Sequence, residues 1–229
     1  MVAVIFPAAG ASRRMGNSLG DITNKNFLQL AGKPILIHTL EQFSKSTRVN
    51  FLIVVVSADE VEIVENLLKS AKNLKSWAVT VGGSERQYSI ANGLKLVPDD
   101  TEIILVHDAA RPLISLQTIE KVIDAAEKFG GAIAAVPEKN TIKIIDTDGF
   151  VKNTPPRSEL VAVQTPQGFK KNILLRAYKQ AEEEKFLGTD DSSLVERIGI
   201  RVKIVESDYK NIKITTPEDI KIAESFLEE

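Results

Sequence analysis

Apolar residues in this chain fall into short unbroken runs separated by stretches of helical period. Residues 2–6 are apolar throughout and stop at Pro7-Ala8-Ala9-Gly10, the pattern of a strand buried on both faces. From 35 to 43 the period changes, and Ile35, Leu36, Thr39, Leu40 and Phe43 share one helical face. Residues 51–56 predict a second buried strand, and Ser57-Ala58-Asp59-Glu60 reads as the start of a helix reaching about Ala71. A third strand is predicted at 77–81. It ends at Gly82-Gly83, before a helix carrying Tyr88, Ile90, Ala91 and Leu94. A fourth at 102–106 leads through a loop at 107–112 to a helix over 115–129, and a fifth follows at 132–136. Strands joined by helical crossovers define an α/β fold: a mostly parallel twisted sheet with helices on both faces.

The rhythm breaks between Glu138 and Gln164. Residues 141–145, the turn Asp146-Thr147-Asp148-Gly149, and residues 150–153 read as a strand, a turn and a returning strand. Such a hairpin has no place in a parallel sheet, so it is expected to project as a β-arm at about 138–164 from a single domain spanning 1–229. Two helices are predicted next, over 170–185 and 190–198, with Asp190-Asp191-Ser192-Ser193 read as the cap of the second, or else as a substrate contact. A strand at 202–205 follows. The last helix opens on Thr216-Pro217-Glu218-Asp219, a hydroxyl cap, a first-turn proline and first-turn acids.

Composition narrows the function classes. A net charge of −2 gives no global positive field, and neither a basic stripe nor an aromatic platform is visible, so nucleic acid is not an expected partner. Cysteine is absent, which excludes disulfides and thiol chemistry and fits a cytoplasmic location. No signal segment or membrane-spanning run is expected, and no membrane partner.

The sharpest chemistry lies in the loop after the first strand, Pro7 to Gly16. Small residues at Ala8, Ala9 and Gly10 let a ligand approach the main chain, whose N–H groups hold phosphate oxygens. Arg13 and Arg14 follow at once, with Lys25 and Lys33 beyond. A G-x-G-x-x-G fingerprint is missing, and Asn17-Ser18 follows Gly16 where a P-loop needs Lys-Ser/Thr. A glycine-poor loop with paired arginines suits nucleotidyl transfer, in which positive charge meets a phosphorus centre that gains negative charge. The competing reading is a solvated basic loop.

Four more segments complete a recognisable set: Gly82-Gly83-Ser84-Glu85-Arg86-Gln87-Tyr88-Ser89, Val106-His107-Asp108-Ala109-Ala110-Arg111-Pro112, Thr165-Pro166-Gln167 and the run from Asn211 to Asp219. With the first loop, they resemble the 2-C-methyl-D-erythritol 4-phosphate cytidylyltransferase family, in the family's order and over nearly the whole chain. The resemblance implies a nucleotidyltransferase-type, Rossmann-like fold, a homodimer, CTP as substrate and Mg²⁺ as cofactor. It implies that Arg14 and Lys25 stabilise the transition state, and that Ala8, Ala9, Gly10, Gly83, Arg86, Ser89 and Ala109 line the CTP site. Asp108 matches the carboxylate near metal and substrate, with Arg111 in the same turn. Arg157 and Lys213 match positions that hold the polyol phosphate for attack, with Thr141 and Thr165 beside them. The arm of one subunit reaches the neighbour's site in this family, so Thr141 and Arg157 are expected to act across the dimer. Two departures stand out. Asn24-Lys25-Asn26 replaces the usual Pro-Lys-Gln, and Lys210 stands where other members carry an Asp, so no second metal carboxylate is assigned there.

The implied reaction is in-line attack by a phosphate monoester oxygen on the α-phosphorus of CTP. A monoester has a second pKa near ~6, so its dianion is abundant at neutral pH and needs no general base. Two readings stay beside this one: a ribitol 5-phosphate cytidylyltransferase, and a catalytically inactive nucleotide-binding regulatory subunit.

Overall fold

The computed structural model describes residues 1–10 and 24–227. In chain order the strands and helices begin with β1 (Val2–Pro7), the short pair β2 (Gln29–Leu30) and β3 (Lys33–Pro34), α1 (Ile35–Ser44), β4 (Val49–Val56), α2 (Val61–Ser70), β5 (Ser76–Val81) and α3 (Arg86–Leu94). They continue with β6 (Ile103–Val106), α4 (Leu116–Phe129), β7 (Gly131–Pro137), the pair β8 (Ile144–Ile145) and β9 (Val151–Asn153), and β10 (Val161–Lys170). The chain ends with α5 (Lys171–Glu183), α6 (Asp191–Arg197), β11 (Lys203–Glu206) and α7 (Pro217–Leu227).

Seven strands form the main sheet in the order β11-β7-β10-β6-β1-β4-β5. Every pairing is parallel except those of β10, which runs antiparallel to both β6 and β7. The apolar runs explain the central position of β1. Val4 and Phe6 point into one core layer, with Leu36, Leu40 and Phe43 of α1 and Val122 and Ile123 of α4. Ala3 and Ile5 point into the other, with Ile90 of α3, Leu174 of α5 and Val195 of α6. A strand covered on both faces has no polar side, which is why its sequence does not alternate.

Local signals anchor the helices as the sequence suggests. Ser57 and Glu60 form a reciprocal capping box before α2, Ser115 Oγ accepts from Thr118 N at the start of α4, and Asp190 Oδ1 accepts from Ser193 N at the start of α6. Before α7, the Asp219 carboxylate accepts from the N–H groups of Thr215 and Thr216, which ties the first turn to the residues leading into the helix.

Two elements depart from the hydrophobic pattern. The hairpin is present, with Ile144 opposite Asn153 and its turn closed by Asp146, but the segment assigned to the arm does not run to 164. From Val161 the chain has rejoined the main sheet as β10. That strand escapes a hydrophobicity reading because its middle, Gln164-Thr165-Pro166-Gln167-Gly168, is polar and interrupted, and its pairing with β7 shifts register between Val163 and Gln167. Its buried polar side chains are satisfied one by one. Gln167 Nε2 donates to Asp190 Oδ2 and its Oε1 accepts from Ser192 N, while Gln164 Oε1 accepts from Asn211 Nδ2. Burying such groups is tolerable when each finds a partner. Among the described residues, no helix is long and apolar enough to cross a membrane.

Candidate active site

The carboxyl ends of β1, β5 and β6 open into one cleft of about 670 Å³, within the usual size of a small-molecule site. Its walls come from segments distant in sequence: Pro7 to Gly10 after β1, Lys25 and Asn26, Gly83 to Arg86 and Ser89 at the start of α3, Asp108 to Ala110 after β6, and Lys213 with Thr215 before α7. A position beyond the carboxyl ends of parallel strands is where open α/β sheets bind ligands.

The glycines of the second wall are explained by close approach. Gly82 and Gly83 have no positive φ, so turn geometry does not demand them. A Cβ on Gly82 would meet Ala9 Cβ at 2.6 Å, and one on Gly83 would meet Tyr88 Cβ at 2.5 Å. The absence of side chains lets the loop after β5 lie directly on the loop after β1. Ser89 then fixes it, its Oγ accepting from Gly83 N at 3.1 Å and donating to Glu85 O at 3.0 Å. On the first wall, Ala8 N donates to Val55 O at 2.7 Å. Ala8 therefore lines the cleft with its N–H already used, and backbone donation to a ligand falls to Ala9 and Gly10.

Lys25 sits in a short 3-10 turn, Lys25–Phe27, whose cap is Asn24. Asn24 Nδ2 donates to Ala8 O at 2.7 Å and to Glu60 Oε2 at 3.1 Å, which ties this turn both to the β1 loop and to the start of α2. The departure from the family's usual Pro-Lys-Gln thus brings its own anchor, and Lys25 still faces the cleft. Its Nζ donates to Ile214 O.

Asp108 is the electrostatic centre. Lys213 Nζ lies 3.0 Å and Arg111 Nε 3.2 Å from its Oδ2, and Arg86 Nε lies 3.9 Å from its Oδ1. Burial alone would push the carboxyl up, but Lys213, Arg111 and Arg86 overrule it and hold it well below the ordinary carboxylate range. Asp108 is thus a fixed negative charge among cations.

Its position is set from behind. Asp108 N donates to Thr165 Oγ1 at 3.0 Å, and Thr165 Oγ1 lies 3.0 Å from His107 Nδ1. His107 Nε2 lies 3.1 Å from Arg111 O, which can only accept. The protons are therefore assigned: Nε2–H donates to the carbonyl, and the Thr165 hydroxyl donates to Nδ1. Burial drives the imidazole down to about 3, keeping it neutral. His107 packs its ring on Phe43, 4.7 Å between centroids. It is a structural strut and takes no proton from a ligand. Lys213 reaches Asp108 because the strip before α7 is sewn to the β6 loop: Arg111 Nη1 donates to Asn211 O at 2.8 Å, Ile214 N to Ala110 O at 2.8 Å, and Asn211 Nδ2 to Thr165 O at 2.9 Å.

The structure gathers Lys25, Arg86, Asp108 and Lys213 around one cavity, with Gly10, Gly83, Ser89 and Ala109 in its walls. Arg111 and Thr165 stand behind Asp108 as its supports. Arg157 and Thr141 are not brought there by the same chain; both are exposed on the arm, where Arg157 Nη1 donates to Lys139 O. Arg14 lies outside the described residues. Sequence reasoning gave no individual role to Asn24 or Asn211, although both lie in the quoted motifs, and read the stretch holding Asp191 as a helix cap or a substrate contact; all three are buried polar residues.

The family profile described as 2-C-methyl-D-erythritol 4-phosphate cytidylyltransferase matches residues 2–229. A protein of that name from Caldanaerobacter subterraneus subsp. tengcongensis is 48% identical over 227 residues, 99% of this chain and 98% of its own length. One from Bacillus mycoides is 46% identical over the same span and shares. The crystal structure of 4-diphosphocytidyl-2C-methyl-D-erythritol synthase from Anaerococcus prevotii superimposes with a TM-score of 0.87 at 32% identity, covering 100% of this chain and 99% of that one. The chain belongs to the 2-C-methyl-D-erythritol 4-phosphate cytidylyltransferase family.

Proposed function

We propose that this cleft joins CTP to 2-C-methyl-D-erythritol 4-phosphate, giving 4-diphosphocytidyl-2-C-methyl-D-erythritol and pyrophosphate for isoprenoid precursor synthesis. The observation that carries the reading is the convergence of Lys25, Arg86 and Lys213 on one small-walled cleft in a chain of this family. A monoester oxygen of the polyol phosphate attacks the α-phosphorus, and the bond to the bridging oxygen of the β-phosphate breaks. Pyrophosphate leaves with that electron pair, and no proton need be removed from the nucleophile. Catalysis then consists of holding two anions together and neutralising charge as it grows. Lys25, and Arg14 by resemblance, serve the transition state. Lys213 orients the polyol phosphate, assisted by Arg157 and Thr141 from a partner's arm in a homodimer.

Mg²⁺ fits as a single-carboxylate site. Asp108 offers hard oxygens, and among the described residues its Oδ1 is ion-paired only with Arg86, at 3.9 Å. Among the described residues no group of three His, Cys, Asp or Glu could hold a metal, so phosphate oxygens and water would complete the shell, as is usual for this ion. When bound, the ion neutralises nucleotide phosphate charge.

The reading is tested by supplying CTP, Mg²⁺ and either methylerythritol phosphate or ribitol 5-phosphate. Preferential turnover of the first supports it; faster turnover of ribitol 5-phosphate transfers the assignment to that substrate.

A further inference from the structure

Behind the cleft, a chain of polar groups runs from Arg86 into the core. Asp191, the first residue of α6, is fully buried. Its Oδ1 accepts from Tyr178 Oη at 2.5 Å, and its Oδ2 lies 2.8 Å from Arg86 Nη2. That last contact is a close ion pair outside hydrogen-bond alignment, so Oδ2 has no aligned donor. Arg86 Nε is also 3.9 Å from Asp108 Oδ1. One guanidinium thus approaches two carboxylates, closely the one in the core and more distantly the one in the cleft.

A carboxylate in this position is not needed to start α6. Asp190 already accepts from Ser193 N, and Gln167 already takes Ser192 N. Burying a further carboxylate costs several kcal/mol unless it is paired, and its two partners are Tyr178 and a residue of the cleft wall. Burial and the neighbouring Asp191 push the Tyr178 hydroxyl well above its ordinary range, so it stays a donor.

We propose that Asp191, held by Tyr178, is a positioning residue that tethers Arg86 away from Asp108. The tether leaves the guanidinium against the nucleotide wall and one Asp108 oxygen open to the cleft. Without it, the one other carboxylate paired with Arg86 among the described residues is Asp108, and closure of that 3.9 Å gap would remove a cation and an anion from the site together. This inference rests on the reading of the cleft as a CTP site.

The test is a double-mutant cycle read in CTP affinity by calorimetry, or in kcat/KM for CTP where binding is too weak to titrate. Asp191→Asn keeps the shape and removes the charge; it is expected to weaken CTP about tenfold, with KM for the polyol phosphate changed less than threefold. Tyr178→Phe, which keeps the ring, is expected to shift CTP in the same direction by a smaller factor. In an Arg86→Ala background, Asp191→Asn is expected to add nothing. An equal loss in both backgrounds, or wild-type CTP affinity in folded Asp191→Asn and Tyr178→Phe, overturns the inference while the CTP site stands. Failure of the wild-type protein to bind CTP removes the site reading itself.

Discussion

Lys213 Nζ lies 3.0 Å from Asp108 Oδ2, although the two residues come from different halves of the chain. The contact depends on the strip from Asn211 to Ile214 being bonded along the β6 loop, so the loop after the central strand and the segment leading into the last helix jointly build the cationic wall. Lys213→Ala is expected to lower kcat/KM by ~10²–10³, the usual loss for one well-placed charge, without altering the circular dichroism spectrum. Lys25→Ala is expected to lose a comparable factor in kcat while still binding CTP. Wild-type steady-state rates of pyrophosphate release in either variant would remove that lysine from the mechanism.

The buried imidazole gives the protein a specific acid sensitivity. His107 stays neutral in the folded chain down to about 3, against an ordinary value of 6.5. Between these values the unfolded chain binds a proton that the folded chain refuses, so stability falls as the pH drops below about 6.5, by up to ~1.4 kcal/mol per pH unit. Asp108 acts in the same direction lower down, below its ordinary 3.8, where the unfolded chain is protonated first. Urea unfolding at pH 6.5 and 5 is expected to show the wild-type protein losing roughly 1–2 kcal/mol more than His107→Gln. Equal losses would mean that His107 is protonated in the folded state.

Glycines on the two walls are expected to respond differently. A methyl group on Gly83 meets Tyr88 Cβ at 2.5 Å, so Gly83→Ala must displace the loop and is expected to lower both the thermal midpoint and CTP affinity. Gly10 has nothing among the described residues within 4 Å of an added Cβ. Gly10→Ala is therefore expected to leave the midpoint unchanged and still weaken CTP if, as proposed, the nucleotide passes over that main chain. Unchanged CTP affinity in Gly10→Ala would show that the nucleotide lies elsewhere.

Arg157 is exposed on the arm and absent from its own chain's cleft. If it serves a partner's site, Arg157→Ala raises KM for the polyol phosphate more than for CTP. Mixing Arg157→Ala with Lys213→Ala chains then rebuilds one intact site in each mixed dimer, and activity returns to roughly one quarter of wild type for random pairing in a symmetric dimer. No recovery on mixing would place Arg157 outside the reaction or within its own subunit.

Much of this was legible in the sequence because parallel strands buried on both faces leave unbroken apolar runs, as Val4 to Phe6 and Leu52 to Val56 do. The cleft residues were legible as motifs: Gly83 and Asp108 follow two of those runs, and Lys213 lies in the segment leading into the last helix. What stayed hidden is what depends on long-range polar pairing. The β10 strand is polar in its middle and becomes a sheet member only through partners such as Asn211 and Asp190. Asn24 likewise matters through Glu60 and Ala8, and Asp191 through Tyr178 and Arg86. Hydrophobic periodicity carries no information about such pairs.

The most direct test of the central claim follows phosphorus. Two reactions are run with Mg²⁺ and methylerythritol phosphate, one with CTP labelled at the α-phosphorus and one with CTP labelled at the γ-phosphorus. The account requires the α-label in the cytidyl–polyol diphosphate and the γ-label in pyrophosphate. Release of the α-label as CMP, or transfer of the γ-label to the polyol, would contradict it.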